Sequence, residues 1–132
     1  MKNANIPKLS SNEIVNNFEK ARLSSRNRHP KIIHEPGSEF NQVFNFMLED
    51  SYMQPHLHPG IEKIEKMYLV RGSFAVIFFN DNGKVENVCV LEMGQCEYIE
   101  IPAFTWHTYV MLTEKVVVYE TMDGKYCPDT WK

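Results

Sequence analysis

From residue 31 onward the chain is punctuated in a way that leaves few folds open to it. Short runs rich in β-branched and aromatic residues alternate with turn signals at intervals of roughly eight to twelve residues. The runs are 31–34, 42–48, 52–58, 65–70, 73–79, 85–91, 96–101, 107–112 and 115–120. Between them stand Glu35-Pro36-Gly37-Ser38, Pro59-Gly60, Gly72, Asn80-Asp81-Asn82-Gly83, Glu92-Met93-Gly94 and Thr113-Glu114. Each of these stops or reverses a strand. The run 42–48 puts Phe44, Phe46 and Leu48 on one face, while 73–79, SFAVIFF, is apolar on both faces and reads as a strand covered on both sides. Many short strands of this kind build a sandwich or a barrel, and strand count alone does not separate the two.

Before residue 31 a different period rules. Ser10 stands three residues ahead of Glu13, the spacing of a capping box, and Ile14, Val15, Phe18 and Ala21 follow at helical intervals. The pattern predicts one helix over 11–23 whose apolar stripe docks on the outside of a sheet. Residues 1–9 are polar, contain Pro7 and predict a frayed arm. The expected organisation is an N-terminal arm and helix over 1–30 packed on a β-domain over 31–132. A chain of 132 residues is long enough for one such domain to bury its own core.

Chemistry concentrates in residues 56–72, HLHPGIEKIEKMYLVRG. His56 and His58 lie at i and i+2, which on a strand puts both imidazoles on one face, where they can chelate. Taken alone, an H-x-H pair is more often two surface histidines. Here a glutamate leads into Gly72, and a third histidine, His107, follows Pro102 in IPAFTWH. Three imidazoles and a carboxylate suit one divalent transition metal, Fe, Mn, Ni, Zn or Cu, without choosing among them.

These residues resemble the two signature motifs of the cupin superfamily. The first motif runs H-x-H, a gap, E, six residues, G, and is matched by His56, His58, Glu65 and Gly72. The second, G, a run, P-x-G-x-x-H, is matched by Gly94, Pro102 and His107. The chain departs from the pattern twice: six residues separate His58 from Glu65, a longer gap than the family usually has, and Phe104 stands where the second motif has glycine. More narrowly, ARLSSRNRH, PHLHP, YLVRGSFAVIFFNDNGKV and IEIPAFTWHT look like the WbuC family of cupin-fold metalloproteins, over residues 21–126. The resemblance implies an all-β fold, the double-stranded β-helix or cupin jelly-roll barrel, with a short N-terminal α-helix. It also implies a metal inside the barrel, a homodimer, and an association with bacterial surface-polysaccharide biosynthesis.

The acidic ligand is ambiguous by spacing. Counting from His58 favours Glu62, and counting back from Gly72 favours Glu65. Strand parity chooses Glu65, which shares a face with Met67 and Leu69, whereas Glu62 would share one with Ile64, Lys66 and Tyr68. The expected metal set is therefore His56, His58, Glu65 and His107. Phe46, Met67, Leu69, Phe74, Val76, Phe78 and Trp106 are expected in the core or pocket wall. Trp106 and Tyr109 read as core residues rather than substrate contacts. No second acid is paired with the motifs by spacing, and no catalytic residue is singled out.

Lys20, Arg22, Arg26, Arg28, His29 and Lys31 form a basic stretch. One reading is a solvated helix end, where cations suit the dipole. The other is a phosphate or carboxylate contact at the barrel mouth.

A net charge of −3 argues against a nucleic-acid partner. No run reaches the ~18 apolar residues of a membrane span, and MKNANIPKLSSNE lacks the apolar centre of a signal peptide. A cytoplasmic protein is expected, with Cys89, Cys96 and Cys127, which form no C-x-x-C pair, as free thiols. Three functions fit: a metal-dependent enzyme on a small molecule, such as a sugar or sugar nucleotide, by isomerase, epimerase, lyase or oxygenase chemistry; a non-catalytic binding or sensor module; and a structural metal site.

Overall fold

The computed structural model describes residues 5–124. Cys127 and the end of the resemblance at Tyr126 lie outside the described residues, as do the first four residues of the expected arm. One helix, α1 (Ser11–Leu23), precedes eight strands: β1 (Arg28–Ile32), β2 (Phe40–Leu48), β3 (Glu65–Arg71), β4 (Ser73–Phe79), β5 (Val85–Glu92), β6 (Tyr98–Ile101), β7 (Trp106–Met111) and β8 (Lys115–Asp123). The strands form two antiparallel sheets, ordered β1-β2-β8-β3-β6 and β5-β4-β7. This is a cupin-like double-sheet fold with a short N-terminal helix.

The helix forms where its cap predicts. The Ser10 hydroxyl accepts from the Glu13 N–H at 3.1 Å, and the Glu13 carboxylate accepts from the Ser10 N–H at 2.8 Å, so two otherwise orphaned donors are satisfied. Phe18 then packs edge-on against Phe46 at 5.3 Å between centroids, within a cluster that includes Phe44, Val117 and Tyr119. Helix α1 thus covers the outer face of the larger sheet. The opposite face of that sheet meets the smaller one: Met47, Met67, Leu69, Val116 and Val118 pack against Phe74, Val76, Leu91 and Met111. Phe46 is buried as expected but on the helix side, and Trp106 and Phe78 are only partly buried.

Two boundaries moved for identifiable reasons. Strand β1 starts at Arg28 and runs through Pro30. It is the outermost strand of its sheet, where a missing N–H costs no ladder bond. The expected strand at 52–58 does not form. Pro55 lies within that segment and Pro59 follows it directly, and neither can donate to a ladder. Only His56 pairs, in an isolated bridge with His107 through hydrogen bonds of 3.0 and 2.9 Å.

Two turns carry positive φ that bears on the site. Gly72 (φ +84) joins β3 to β4, and a Cβ there would lie 2.2 Å from the Lys115 carbonyl oxygen. Phe104 adopts φ +60, the left-handed conformation for which glycine is usual. Its N–H donates to the His58 carbonyl at 3.0 Å, which ties the turn before β7 to the H-x-H segment.

Candidate metal centre

The isolated bridge between His56 and His107 sets the site. It holds two histidines from distant parts of the chain side by side, their rings 4.3 Å apart between centroids. Both are buried, as is His58, and the ligand atoms of the three lie within 4.8 Å of one another. Glu65, the first residue of β3, faces them: its Oε1 is 3.4 Å from His107 Nε2 and 3.7 Å from His58 Nε2. Strand parity had placed Glu65 inward with Met67 and Leu69, and all three are buried while Glu62 is exposed.

Two of the rings have their roles fixed locally. His56 Nδ1 lies 2.9 Å from the Gln54 carbonyl, and His107 Nδ1 lies 2.8 Å from the Thr105 carbonyl. A carbonyl oxygen only accepts, so in both rings Nδ1 carries the proton and Nε2 presents its lone pair. The His107 Nε2 is buried and has no hydrogen bond. It confronts a carboxylate oxygen, another electron-pair donor. Such an arrangement is costly without a cation between them and favourable with one. Burial disfavours the charged form of two of the imidazoles: the pKa of His56 falls to about 4, and that of His58 is also lowered. Neutral nitrogens and a carboxylate are what a divalent transition metal takes. The cluster is therefore capable of coordinating one.

The site contains an acid that the spacing of the motifs does not reveal. Glu120 of β8 lies in the same cavity and shares a hydrogen bond with Glu65. Burial and the neighbouring Glu65 charge push the Glu120 pKa well up. Burial also opposes ionisation of Glu65, but the hydrogen bond from Glu120 prevails and holds its pKa down. The two shifts run in opposite directions, so the pair loses its protons in two separate steps. Asn45 donates from Nδ2 to Glu120. Tyr109 donates from its hydroxyl to Glu65 Oε1 at 3.0 Å; burial raises its pKa, and the adjacent carboxylates raise it further, so it remains a phenol. Tyr109 is buried as a core aromatic should be, yet its hydroxyl belongs to the polar cluster. The signal for Glu120 is its position in β8, two and four residues from the inward-facing Val118 and Val116. It is hard to read because Val117 and Tyr119, on the other face, are buried too.

A cavity of about 310 Å³ opens over the cluster. His56, His58, Glu65, Tyr109 and Glu120 line it, along with Arg26 and Arg28 from the basic stretch. Lys20, Arg22, His29 and Lys31 do not.

Among solved structures, protein SO0799 from Shewanella oneidensis superposes with a TM-score of 0.66 at 9% identity, covering 78% of this chain and 71% of that one. An oxalate oxidase in complex with the substrate analogue glycolate gives 0.63 at 14% identity, over 78% and 54%. Bacillus subtilis oxalate decarboxylase, a protein with Mn(II) centers, gives 0.56 at 15% identity, over 68% and 23%. The chain thus spans about half of the oxidase and under a quarter of the decarboxylase, and these likenesses show a shared fold. No curated protein matches the sequence. The family described as "Domain of unknown function (DUF6016)" matches residues 9–91, well over half of the chain, and the chain belongs to that family.

Proposed function

We propose that the protein is a WbuC-like metalloprotein that binds one divalent transition metal through His56, His58, His107 and Glu65 and acts on a small molecule above it. The observation that carries this is the buried His107 Nε2, held as a lone-pair donor by the Thr105 carbonyl and facing Glu65. The cavity over the cluster favours a ligand-handling site over a purely structural metal, which needs no open space. A bound metal would supply Lewis acidity toward a ligand oxygen. The chain's own residues add the carboxyl of Glu120, whose pKa is raised, and a phenol at Tyr109. A sugar or sugar nucleotide of surface-polysaccharide biosynthesis fits the WbuC resemblance. The second reading, metal-dependent binding without turnover, uses the same residues and differs only in whether the ligand is consumed. We also infer a homodimer, and a division into an N-terminal arm with its helix over 1–30 and a β-barrel domain over 31–132.

Elemental analysis of wild type and of His56→Ala, His58→Ala and His107→Ala tests the centre. We expect about one metal per wild-type chain and substoichiometric metal in each variant. Chelator competition then separates the two glutamates. Glu65→Gln should lose one to two orders of magnitude in affinity, roughly the scale of removing a supporting ligand, and Glu62→Gln should match wild type. Full occupancy in all three histidine variants would falsify the assignment.

A further inference from the structure

The cavity has a second pole, and it is cationic. Arg26 and Arg28 line it together with His56 and His58, and the turn between the two arginines is fixed. Asn27 adopts φ +56, a left-handed conformation that asparagine tolerates, and its carbonyl accepts from the Leu48 N–H at 3.0 Å. Arg28 opens β1 and is partly withdrawn from water. Its pKa is lowered by burial first and then by the Arg26 charge, although a guanidinium stays protonated at any ordinary pH. Among the described residues its guanidinium makes one hydrogen bond, from Nη1 to the Tyr52 carbonyl, and no ion pair. Glu120 attracts it from within the cavity without forming an ion pair, so the cost of half-burying this cation is only partly offset. Its remaining Nε–Nη2 edge presents two parallel N–H groups, the geometry that matches a carboxylate.

The rest of the cavity restricts what can pair there. Its volume is at the small end of the ~300–1,000 Å³ range of small-molecule sites. Val43, Met47, Met53 and Met122 give it apolar walls. Glu65 and Glu120 stand at the histidine end. A compact anion with further oxygens of its own satisfies both poles.

We propose that Arg28 anchors the acidic group of a small organic acid, whose other oxygens face the His56 and His58 end of the cavity. This names the ligand class for the site proposed above and rests on that reading for what the far end of the ligand meets. Arg28 is assigned by the cavity and its unpaired edge alone, so its part is testable without the metal. A competing role, holding the segment after β2 through the Tyr52 carbonyl, would make Arg28 purely structural.

Isothermal titration separates the two. The probes are D-glucuronate, D-glucose and D-glucose 6-phosphate, against wild type, Arg28→Gln and Arg28→Lys, each metal-loaded and chelator-treated, with metal content and melting temperature recorded. We expect wild type to bind D-glucuronate at least tenfold tighter than D-glucose. Arg28→Gln should lose roughly tenfold or more of that affinity, the scale of a charge-assisted pair, while keeping its metal. Arg28→Lys should recover part of it. If D-glucose 6-phosphate binds tighter than D-glucuronate and with the same Arg28 dependence, the anchor stands and the acidic group is a phosphate ester. Several results overturn the proposal: equal binding of D-glucuronate and D-glucose, Arg28→Gln binding D-glucuronate like wild type despite a lowered melting temperature, or no binding of either acid up to about 10 mM. An Arg28-dependent acid on a protein that takes up no metal would leave this anchor standing and sink the metal reading instead.

Discussion

At the scale of single residues, the site is a set of ionisable groups held away from their solution states, and this makes it sensitive to acid in a defined way. His56 titrates at about 4 in the fold and near 6.5 when unfolded, because burial penalises its cation. The unfolded chain therefore binds more protons between those values, and stability falls as pH drops from about 6.5 toward 4. Lowered His58 acts in the same direction. Raised Glu120 acts oppositely: its cost to the fold is present above its unfolded pKa of 4.5 and is relieved as pH falls. In the metal-free wild type the two effects offset each other. Glu120→Gln, an isostere of the protonated acid, should uncover the imidazoles. We expect urea unfolding of the chelator-treated variant to show a loss on the order of 2–3 kcal/mol between pH 7 and pH 4, and a higher stability than wild type at pH 8. A flat pH profile in the variant would show that the histidines are not buried as neutral bases. Of these residues, the histidines and Glu65 were legible because the motif spacing and the alternation of Glu65, Met67 and Leu69 agree. Glu120 was not, because strand β8 buries both of its faces and alternation carries no information there.

At the scale of elements, the turns position the ligands more than the strands do. Gly72 is legible in sequence as a strand break. Its necessity comes from tertiary structure, since the carbonyl of Lys115 occupies the space a side chain would need. Gly72→Ala combines that clash with positive φ, and we expect it to destabilise by about 2–4 kcal/mol in denaturant unfolding. A loss under 1 kcal/mol would mean that the β3–β4 junction relaxes freely. The capping box fixed helix α1 at both the residue and the element level, because it is a purely local signal. The segment 52–58 shows the converse. Its alternation reads as a strand, but its prolines deny it a ladder, and tertiary bonding from β7 places the histidines instead. Phe104 likewise occupies a glycine position in the family pattern and still adopts the glycine conformation, pinned by the His58 carbonyl.

At the scale of the whole molecule, the smaller sheet has a face that the larger one does not cover. In cross-strand register, Val88 and Val90 of β5 and Val110 of β7 flank Ala75 and Ile77 of β4, and the three valines are 51%, 46% and 43% exposed. Exposed valines on both strands that flank β4 suit isologous pairing with a second copy, in line with the proposed homodimer. Light scattering should give a dimer for wild type and a monomer for the double variant Val88→Lys, Val90→Lys, with metal content unchanged. A dimer in both would place the interface elsewhere. The architecture was legible from turn punctuation, while the pairing order of the strands was not, since it depends on contacts between distant parts of the chain. The backbone bridge between His56 and His107 is one such contact, and it gives the molecule a built-in reporter. Each residue donates its amide proton to the carbonyl of the other, so both protons exchange with solvent only when the two chain segments part. A cation gripping both imidazoles would hold those segments together. The exchange rates of these two amides, followed by nuclear magnetic resonance, therefore track occupancy of the centre from the peptide backbone, without any spectroscopic property of the metal itself.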